Sequence, residues 1–486
     1  MRDDVSLLSA LREDLGVRQP VKDGCSPQGQ CGCCTVLVDG SPRVACVTAV
    51  RRVAGRSVVT AAGLDPQIQR RLVDAFARHG ASQCGFCTPG ILCRLAALGP
   101  SPDRSKVESA LLAHLCRCTG WRTIVDAACD QVTDAGELAD AGVGAGATLG
   151  SAGDSRHGRR PFPAGSAAKN ADRFQESLSP SDLRAAVEGG VAQRVGRDAI
   201  LGAGGFADDD PPRNCLCAVP DGAGGWAVGE TIDEARAASG KVQGRRSGQA
   251  LSYPLEVAPG AWDLTLQTTW VEPAYLEPDA SWCHPGGEPA DPVANGGAFG
   301  GKLGSIAPAT ARLLADRFGR PVRVLLSRED VVRLGSKRPP IAAGVNVDGT
   351  GVLRIAAART GDDRFDAGLA GAIEAIAPGL RVEVIPIAGP PASWRLRAAG
   401  WAEAAVLAAG AEAVRSGKVP TGTPSTMTAA AQVRAPNGAT ARAEVTVDPG
   451  GWPETVSVDL GCGPPLDPVV LCSYATGAAH MALGWV

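Results

Sequence analysis

Several signals that would narrow the function of this chain are missing from it. Its 486 residues hold no apolar run near the roughly 18 residues that a membrane span needs. Met1-Arg2-Asp3-Asp4 leads into no apolar signal-peptide core, so a reducing cytoplasm is the expected compartment. A net charge of −3 gives no basic surface for nucleic acid and no demand for a polyanionic substrate. Aromatic residues make up only 4% of the chain, and no function follows from that. There is no P-loop and no nucleophile elbow. The glycine-rich stretch Gly202-Ala203-Gly204-Gly205 lacks the G-x-G-x-x-G turn of a dinucleotide site. With 44% apolar residues the chain has enough to build cores for two to four domains.

Cysteine is what the chain has. Eleven of the sixteen cysteines fall in the first 130 residues, and eight of these form two sets. Cys25, Cys31, Cys34 and Cys46 read C-x5-C-x2-C-x11-C, one residue longer in the first loop than the plant-type ferredoxin run that holds a [2Fe–2S] centre. Cys84, Cys87, Cys116 and Cys118 read C-x2-C-x28-C-x-C. This second spacing also suits tetrahedral zinc, although the neighbouring ferredoxin-type set favours iron.

Local signals place both sets. Glycines at 24, 29 and 32 let a loop wrap a cluster with its N–H groups inward. Thr35–Val38 alternates as a strand, and Asp39-Gly40 reads as a hairpin turn returning through Val44 to Cys46. Cys33 reads as a packed small residue beside a ligand. Residues 64–130 read as four helices. Asp65-Pro66 opens the first, Thr88-Pro89 the second, a Ser105/Glu108 capping box the third, and the fourth begins near Thr123. The second set then lies at facing helix ends, with Cys93 and Cys129 as core residues.

The stretches Q-C-G-F-C-T-P-G (Gln83–Gly90) and C-R-C-T-G-W (Cys116–Trp121) closely resemble the second-cluster signatures of the molybdenum hydroxylases, the family of xanthine dehydrogenases, aldehyde oxidoreductases and aerobic carbon monoxide dehydrogenases. The resemblance covers residues 5–130. It implies an α+β chain with a β-grasp, ferredoxin-like [2Fe–2S] domain at 1–60 and a helical [2Fe–2S] bundle domain at 61–135. The eight cysteines would ligate the two clusters, and Gln83 would lie beside the pterin. Family members begin with a β-hairpin ahead of the helix that here starts near Ser6, so the first domain is expected to lack two strands.

Residues 136–180 shift to Gly, Ala, Ser, Asp and Arg without periodicity and read as a flexible linker. Residues 181–486 resemble, in pieces, a shortened molybdenum-cofactor subunit. Trp226–Ala238 looks like its strand-to-helix step, Trp270–Pro278 like the segment before the cofactor site, Gly319–Asp330 continues the match, and Thr476–Trp485 resembles a mid-domain cofactor-contacting helix. Asn295–Lys302 is similar to the glycine loop that reaches molybdenum, which implies that Gly297, Phe299, Gly300 and Gly301 contact a molybdopterin cofactor. Bare glycine backbone suits that task, because N–H groups must come close to the ligand.

The resemblance further implies electrons leaving to a flavoprotein subunit or other acceptor, no FAD in this chain, a molybdenum-cofactor subunit as a further partner, and a small-molecule substrate. A glutamine-containing loop is absent between Ser281 and Asn295, Leu303 replaces the glutamate of purine-oxidising relatives, and the segment bearing the family's catalytic glutamate is absent. Glu137, Glu230 and Glu288 read as surface carboxylates, His284 and His480 as structural, and Arg51, Arg52, Arg395 and Arg397 as solvated or salt-bridged. No second pair accompanies Cys215 and Cys217 as ligands. The catalytic residue is therefore unknown. The leading reading is an oxidoreductase of this family, and the alternative is an electron-transfer iron–sulfur protein with a catalytically incomplete docking region.

Overall fold

Ser6 accepts a hydrogen bond from the Ser9 N–H and opens helix α1 (Leu7–Ser9), which runs on as a wider turn through Asp14. Leu7, Leu8 and Leu11 are its buried face. This computed structural model describes residues 5–25, 28–130, 147–149, 196–240, 253–292, 297–358, 367–394, 396–417, 427–435, 438–463 and 467–484. Strands β1 (Thr35–Val38) and β2 (Ser41–Val44) pair antiparallel around Asp39 and Gly40. Both turn residues have positive φ, +48° and +75°, as the expected two-residue hairpin requires. Strand β3 (Val58–Val59) joins the other edge of β1, completing a three-stranded sheet of order β2-β1-β3.

The four expected helices follow. Helix α2 (Pro66–His79) is capped by Asp65, which accepts from the N–H groups of Gln67 and Ile68, and it buries Leu72, Val73 and Phe76. Helix α3 (Thr88–Ala96) starts directly after Cys87 and packs on β1. Helix α4 (Arg104–Leu111) departs from expectation. Its cap is Asp103, which accepts from the Lys106 N–H at 2.8 Å, and Ser105 merely donates its hydroxyl to that same carboxylate. Asp103 stands one residue before the helix with an ionised acceptor, whereas Ser105 is already inside it. Helix α5 (Arg122–Ala128) begins after Trp121, which has φ +62°.

Most of the segment read as linker lies outside the described residues. Its residues 147–149 form strand β4 (Ala147–Leu149), which pairs antiparallel with a much later strand, so this part is an edge strand and not free connector. Helix α6 (Arg197–Ile200) leads into a mixed sheet of order β6-β5-β9-β8, built from β5 (Leu216–Pro220), β6 (Trp226–Gly229), β8 (Asp279–Cys283) and β9 (Val322–Leu326). The expected strand-to-helix step is β6 followed by α7 (Ile232–Ala238), and α8 (Ala307–Phe318) covers β8 and β9. After β9, helix α9 (Arg328–Leu334) is closed by a Ser327/Asp330 capping box.

A third sheet, order β12-β11-β10-β7, uses β7 (Leu264–Gln267), β10 (Ile341–Val345), β11 (Gly351–Ala358) and β12 (Leu380–Ile387). Helices α10 (Ala367–Ile376) and α11 (Trp401–Arg415) supply Leu369, Ile373 and Leu407 to its core. Strands β13 (Met427–Arg434), β14 (Thr440–Val447) and β15 (Pro453–Gly461) make the last sheet with β4. Helix α12 (Pro468–Leu483) then returns to pack on α2.

The cysteine-rich part and the later region share one interior. Its core runs from Val5 to Ala128 and takes in Ile200 and Phe206. Phe86 meets Phe206 edge to face with centroids 5.1 Å apart. Buried ions cross the same seam: Arg12 to Asp208 at 2.5 Å, Arg323 to Asp208 at 2.6 Å and to Glu13 at 3.1 Å, and Lys22 to Asp209 at 2.6 Å. Such charges are costly to desolvate, and losing one partner costs about 3–5 kcal/mol, so these pairs fix how the two parts meet.

Candidate iron–sulfur centres and the glycine loop

The first thiol set is assembled by a loop and a hairpin. Cys25 and Cys31 lie on the loop, Cys34 directly precedes β1, and Cys46 occupies the turn after β2. All four are buried. A methyl group added at Gly24 would stand 3.0 Å from the Cys31 sulfur, so any larger residue there would press on it. The Gln30 N–H reaches the Cys25 sulfur at 3.5 Å, and the Cys46 N–H reaches the Cys34 sulfur at 3.4 Å. Cys25 is hydrogen-bonded to Cys31 and Cys46, which push its thiol down to about 2, and Cys46 is also bonded to Cys34.

The second set is held between the end of α2 and the loop joining α4 to α5. The sulfurs of Cys84 and Cys118 are 3.6 Å apart. Cys87 is hydrogen-bonded to Cys116, whose thiol is brought down to about 6 chiefly by that bond, with Thr119 Oγ1 3.1 Å away. Thiols meeting two by two suit a two-iron centre, in which each iron takes two protein sulfurs and shares bridging sulfide. Donor type, burial and the N–H groups aimed at sulfur therefore fit the expected clusters. Cys93 is fully buried within α3, and half-buried Cys129 ends α5, in line with their reading as packed residues.

The two sets interlock. The Leu115 N–H donates to the Cys31 carbonyl at 2.9 Å, and His114 Nε2 lies 3.1 Å from the Thr35 hydroxyl. A methyl group at Gly90, two residues into α3, would overlap the Gly32 carbonyl oxygen and sit 2.8 Å from that of Cys33.

Asn295 and Gly296 lie outside the described residues, but the rest of the glycine loop reaches the second set. A methyl group at Gly297 would be 2.9 Å from the Cys84 sulfur and 3.1 Å from Glu277 Oε2. Phe299 and Gly300 have φ of +51° and +88°, and Gly301 packs under Tyr275 and Pro273. Lys302 is buried, with its ammonium 3.4 Å from Glu277 and donating to the carbonyls of Pro278 and Pro292. Gln83 is buried alongside, and its Nε2 donates to Ser473 Oγ at 2.8 Å and to the Cys118 carbonyl at 3.2 Å.

Sequence reasoning missed Arg397. Its guanidinium lies over the Phe299 ring, 5.5 Å from the centroid, and donates through Nη2 to the Pro273 carbonyl at 2.8 Å. Nε and Nη1 are buried with no hydrogen-bond partner among the described residues. Burial first, then Arg117 and Arg338, bring its pKa down to about 10. Arg117 shares the same carbonyl through its Nε at 3.1 Å. The available signal was Arg397-Ala398-Ala399-Gly400, an arginine set among small residues just before α11.

The other candidates take no part. Glu230 pairs with Arg320 and Glu288 with Arg312 at the surface, Arg51 and Arg52 are exposed, and Glu137 and Arg395 lie outside the described residues. His480 stacks edge-on against Trp121 and His284 against Trp282. Cys215 and Cys217 hydrogen-bond each other beside Arg323.

Two interlocking sets of four buried thiols on a three-stranded sheet and a four-helix unit define an iron–sulfur protein. Residues 60–129 match the family described as "[2Fe-2S] binding domain". The small subunit of nicotine 6-hydroxylase from Paenarthrobacter nicotinovorans is 44% identical over 113 residues, covering 23% of this chain and 68% of that subunit. The nicotinate dehydrogenase small FeS subunit of Eubacterium barkeri is 38% identical over 24% of this chain and 74% of its own length. The chain belongs to the molybdenum hydroxylase family, whose members are oxidoreductases, and its cofactors include [2Fe–2S] clusters.

Not every relative is covered so fully. The aldehyde oxidoreductase of Megalodesulfovibrio gigas is 42% identical over 136 residues, which is only 15% of that protein. The solved aldehyde oxidoreductase from Desulfovibrio gigas superposes with a TM-score of 0.55 at 18% identity, over 86% of this chain and 59% of the other, and this likeness shows the fold alone. Among the described residues no helix is long and apolar enough to cross a membrane.

Proposed function

We propose that this chain carries electrons from a molybdopterin site, where a small-molecule substrate is oxidised, through two [2Fe–2S] clusters to an acceptor on another polypeptide. The observation that carries this reading is the meeting of eight buried thiols in two sets of four, with the glycine loop laid against the second. Cys25, Cys31, Cys34 and Cys46 hold the first cluster, and Cys84, Cys87, Cys116 and Cys118 the second. The domains are 1–60 for the ferredoxin-like unit, 61–135 for the helical unit and 181–486 for the cofactor region.

When bound, the cofactor supplies the two-electron redox chemistry at its metal. The chain's own contribution is to bind, orient and shield. Gln83 stands at the border of loop and second cluster, with its amide already fixed to Ser473 and the Cys118 carbonyl. Gly297, Gly300 and Gly301 bring backbone close without side chains, and Phe299 covers the loop. Arg397 offers two unpaired N–H groups to an anionic part of the cofactor.

The names of the relatives support a partner, since several are subunits of larger enzymes. A flavoprotein subunit is the acceptor we favour, and a reducing cytoplasm suits thiolate-bound clusters. The test is iron and molybdenum analysis of the anaerobically purified full chain, together with its visible spectrum. About four iron per chain with stoichiometric molybdenum is expected. Four iron without molybdenum overturns the cofactor half and leaves an electron-transfer protein, whereas absence of iron overturns the whole reading.

A further inference from the structure

Ser473 sits on the last helix, 390 positions along the chain from Gln83, and is fully buried. Its hydroxyl donates to the Gly80 carbonyl at 2.7 Å and accepts from Gln83 Nε2 at 2.8 Å. The same Nε2 donates to the Cys118 carbonyl at 3.2 Å. Helix α12 presses on both loops that carry the second thiol set. A methyl group at Gly80 would stand 2.9 Å from the Val469 carbonyl oxygen and 3.0 Å from the Ser473 Cβ. One at Gly477, a turn further along the helix, would overlap the Cys118 carbonyl oxygen. Ser473 is thus held in a fixed register between the segment before Cys84 and the segment at Cys118.

These contacts give the hydrogen bonds one polarity. A backbone carbonyl can only accept, so the single Ser473 proton is committed to Gly80 and the serine oxygen is left to accept from Gln83. A primary amide has two N–H donors and one carbonyl oxygen. Turned over, it would set its oxygen against the Cys118 carbonyl oxygen with no proton between them. Both donors of Gln83 are therefore spent inside the protein, and no described residue donates to its Oε1. What Gln83 can offer a ligand at the border of the glycine loop is an acceptor.

We propose that Ser473 is a positioning residue: it fixes the Gln83 amide with the oxygen as its one open group, so that this position receives an N–H edge of the pterin. The proposal rests on the reading of Gln83 and the glycine loop as holding a molybdopterin cofactor.

The test uses the full chain purified anaerobically, as the unsubstituted protein, Ser473→Ala, Gln83→Leu and the double variant. Iron and molybdenum are measured by mass spectrometry, and the two centres by electron paramagnetic resonance. Each single substitution should keep the iron and both centres and lower molybdenum about three- to tenfold, the worth of one hydrogen bond. The double variant should hold no less molybdenum than Gln83→Leu, because a serine that acts through the glutamine then has nothing left to orient. Losses that multiply, or unchanged molybdenum in either single variant, overturn the proposal. Loss of iron together with molybdenum in Ser473→Ala makes the serine structural and overturns it too. The acceptor role is read separately, by difference infrared spectra of protein carrying isotope-labelled glutamine, prepared with the cofactor and from cells blocked in pterin synthesis. One carbonyl band, absent in Gln83→Leu, should move to lower frequency on loading, as a carbonyl does on accepting a hydrogen bond. A band that stays in place overturns the assignment. Iron without molybdenum in the unsubstituted chain strikes instead at the cofactor reading, and the proposal falls with it.

Discussion

Gly297 lies against Cys84, so closely that a methyl group added to the glycine would stand 2.9 Å from the cysteine sulfur. More than 200 positions separate them along the chain, yet they form the contact between the glycine loop and the second thiol set. Glu277 closes the same gap from the other side, 3.1 Å from that methyl position, and Lys302 balances the glutamate's charge. The loop therefore cannot move outward to relieve crowding without disturbing a buried ion pair.

Gly297→Ala should accordingly disturb the second centre and spare the first. The expected spectrum shows an altered or missing second signal with the first unchanged, and iron falling by up to half. A variant with both signals as in the unsubstituted protein would mean that the loop relaxes freely and that this contact does not constrain Cys84.

Cys116→Ser removes the thiol that Cys87 meets. Because the two sets share no sulfur, the substitution should abolish the second centre alone, leaving about two iron per chain. Two distinct reduced centres persisting in electron paramagnetic resonance would show that the pairing of Cys87 with Cys116 is not a ligand pair.

Much of the cysteine-rich half is legible in the sequence because its signals are local. The Asp39-Gly40 turn and the Asp65-Pro66 helix start each act over a few residues, and the structure carries both. The Ser105 cap is misread for a local reason too, since Asp103 is the better acceptor two residues earlier. What is not legible depends on distant packing. Arg12 meets Asp208 across 196 positions and Glu13 meets Arg323 across 310, and nothing in composition announces such pairs. Arg397 reads as a solvated cation until Pro273 and Phe299 are seen to close over it. Strand β4 is a similar case, because three residues, Ala147-Thr148-Leu149, in a glycine-rich stretch gain strand structure from the edge of β15.

Arg397→Leu tests the part of the cofactor region that the sequence concealed. The two unpaired N–H groups vanish while the side chain's apolar contact with Phe299 is largely kept. Molybdenum content should fall several-fold, with four irons and both paramagnetic centres retained. Loss of a charge-assisted hydrogen bond at a buried site is worth about 1.5–3 kcal/mol, which corresponds to roughly ten- to a hundredfold in affinity. Unaltered molybdenum binding would assign the arginine a purely structural role at the Pro273 carbonyl.

Glu13 gives the seam between the two parts a predicted acid response. Burial by itself raises its carboxyl, but Arg323, Arg18 and Arg12 outweigh that and hold it at about 2, against an ordinary value of 4.5. A carboxylate depressed in the folded state contributes stability that is fully present above the unfolded value and is lost as pH falls through the folded one. The window here runs from about pH 4.5 down to about pH 2, and the full shift is worth about 3 kcal/mol. Thiolate protonation destabilises the chain over acid pH as well, so the informative quantity is the difference between the native chain and Glu13→Gln. At neutral pH the variant should unfold at lower urea, because Arg323 keeps only Asp208 as its carboxylate partner. As pH drops through the window that difference should shrink toward zero. A difference that stays constant from pH 7 to pH 2.5 would mean that the three arginines do not hold Glu13 ionised, and that the seam owes its stability to Asp208 and the apolar core around Phe206 instead.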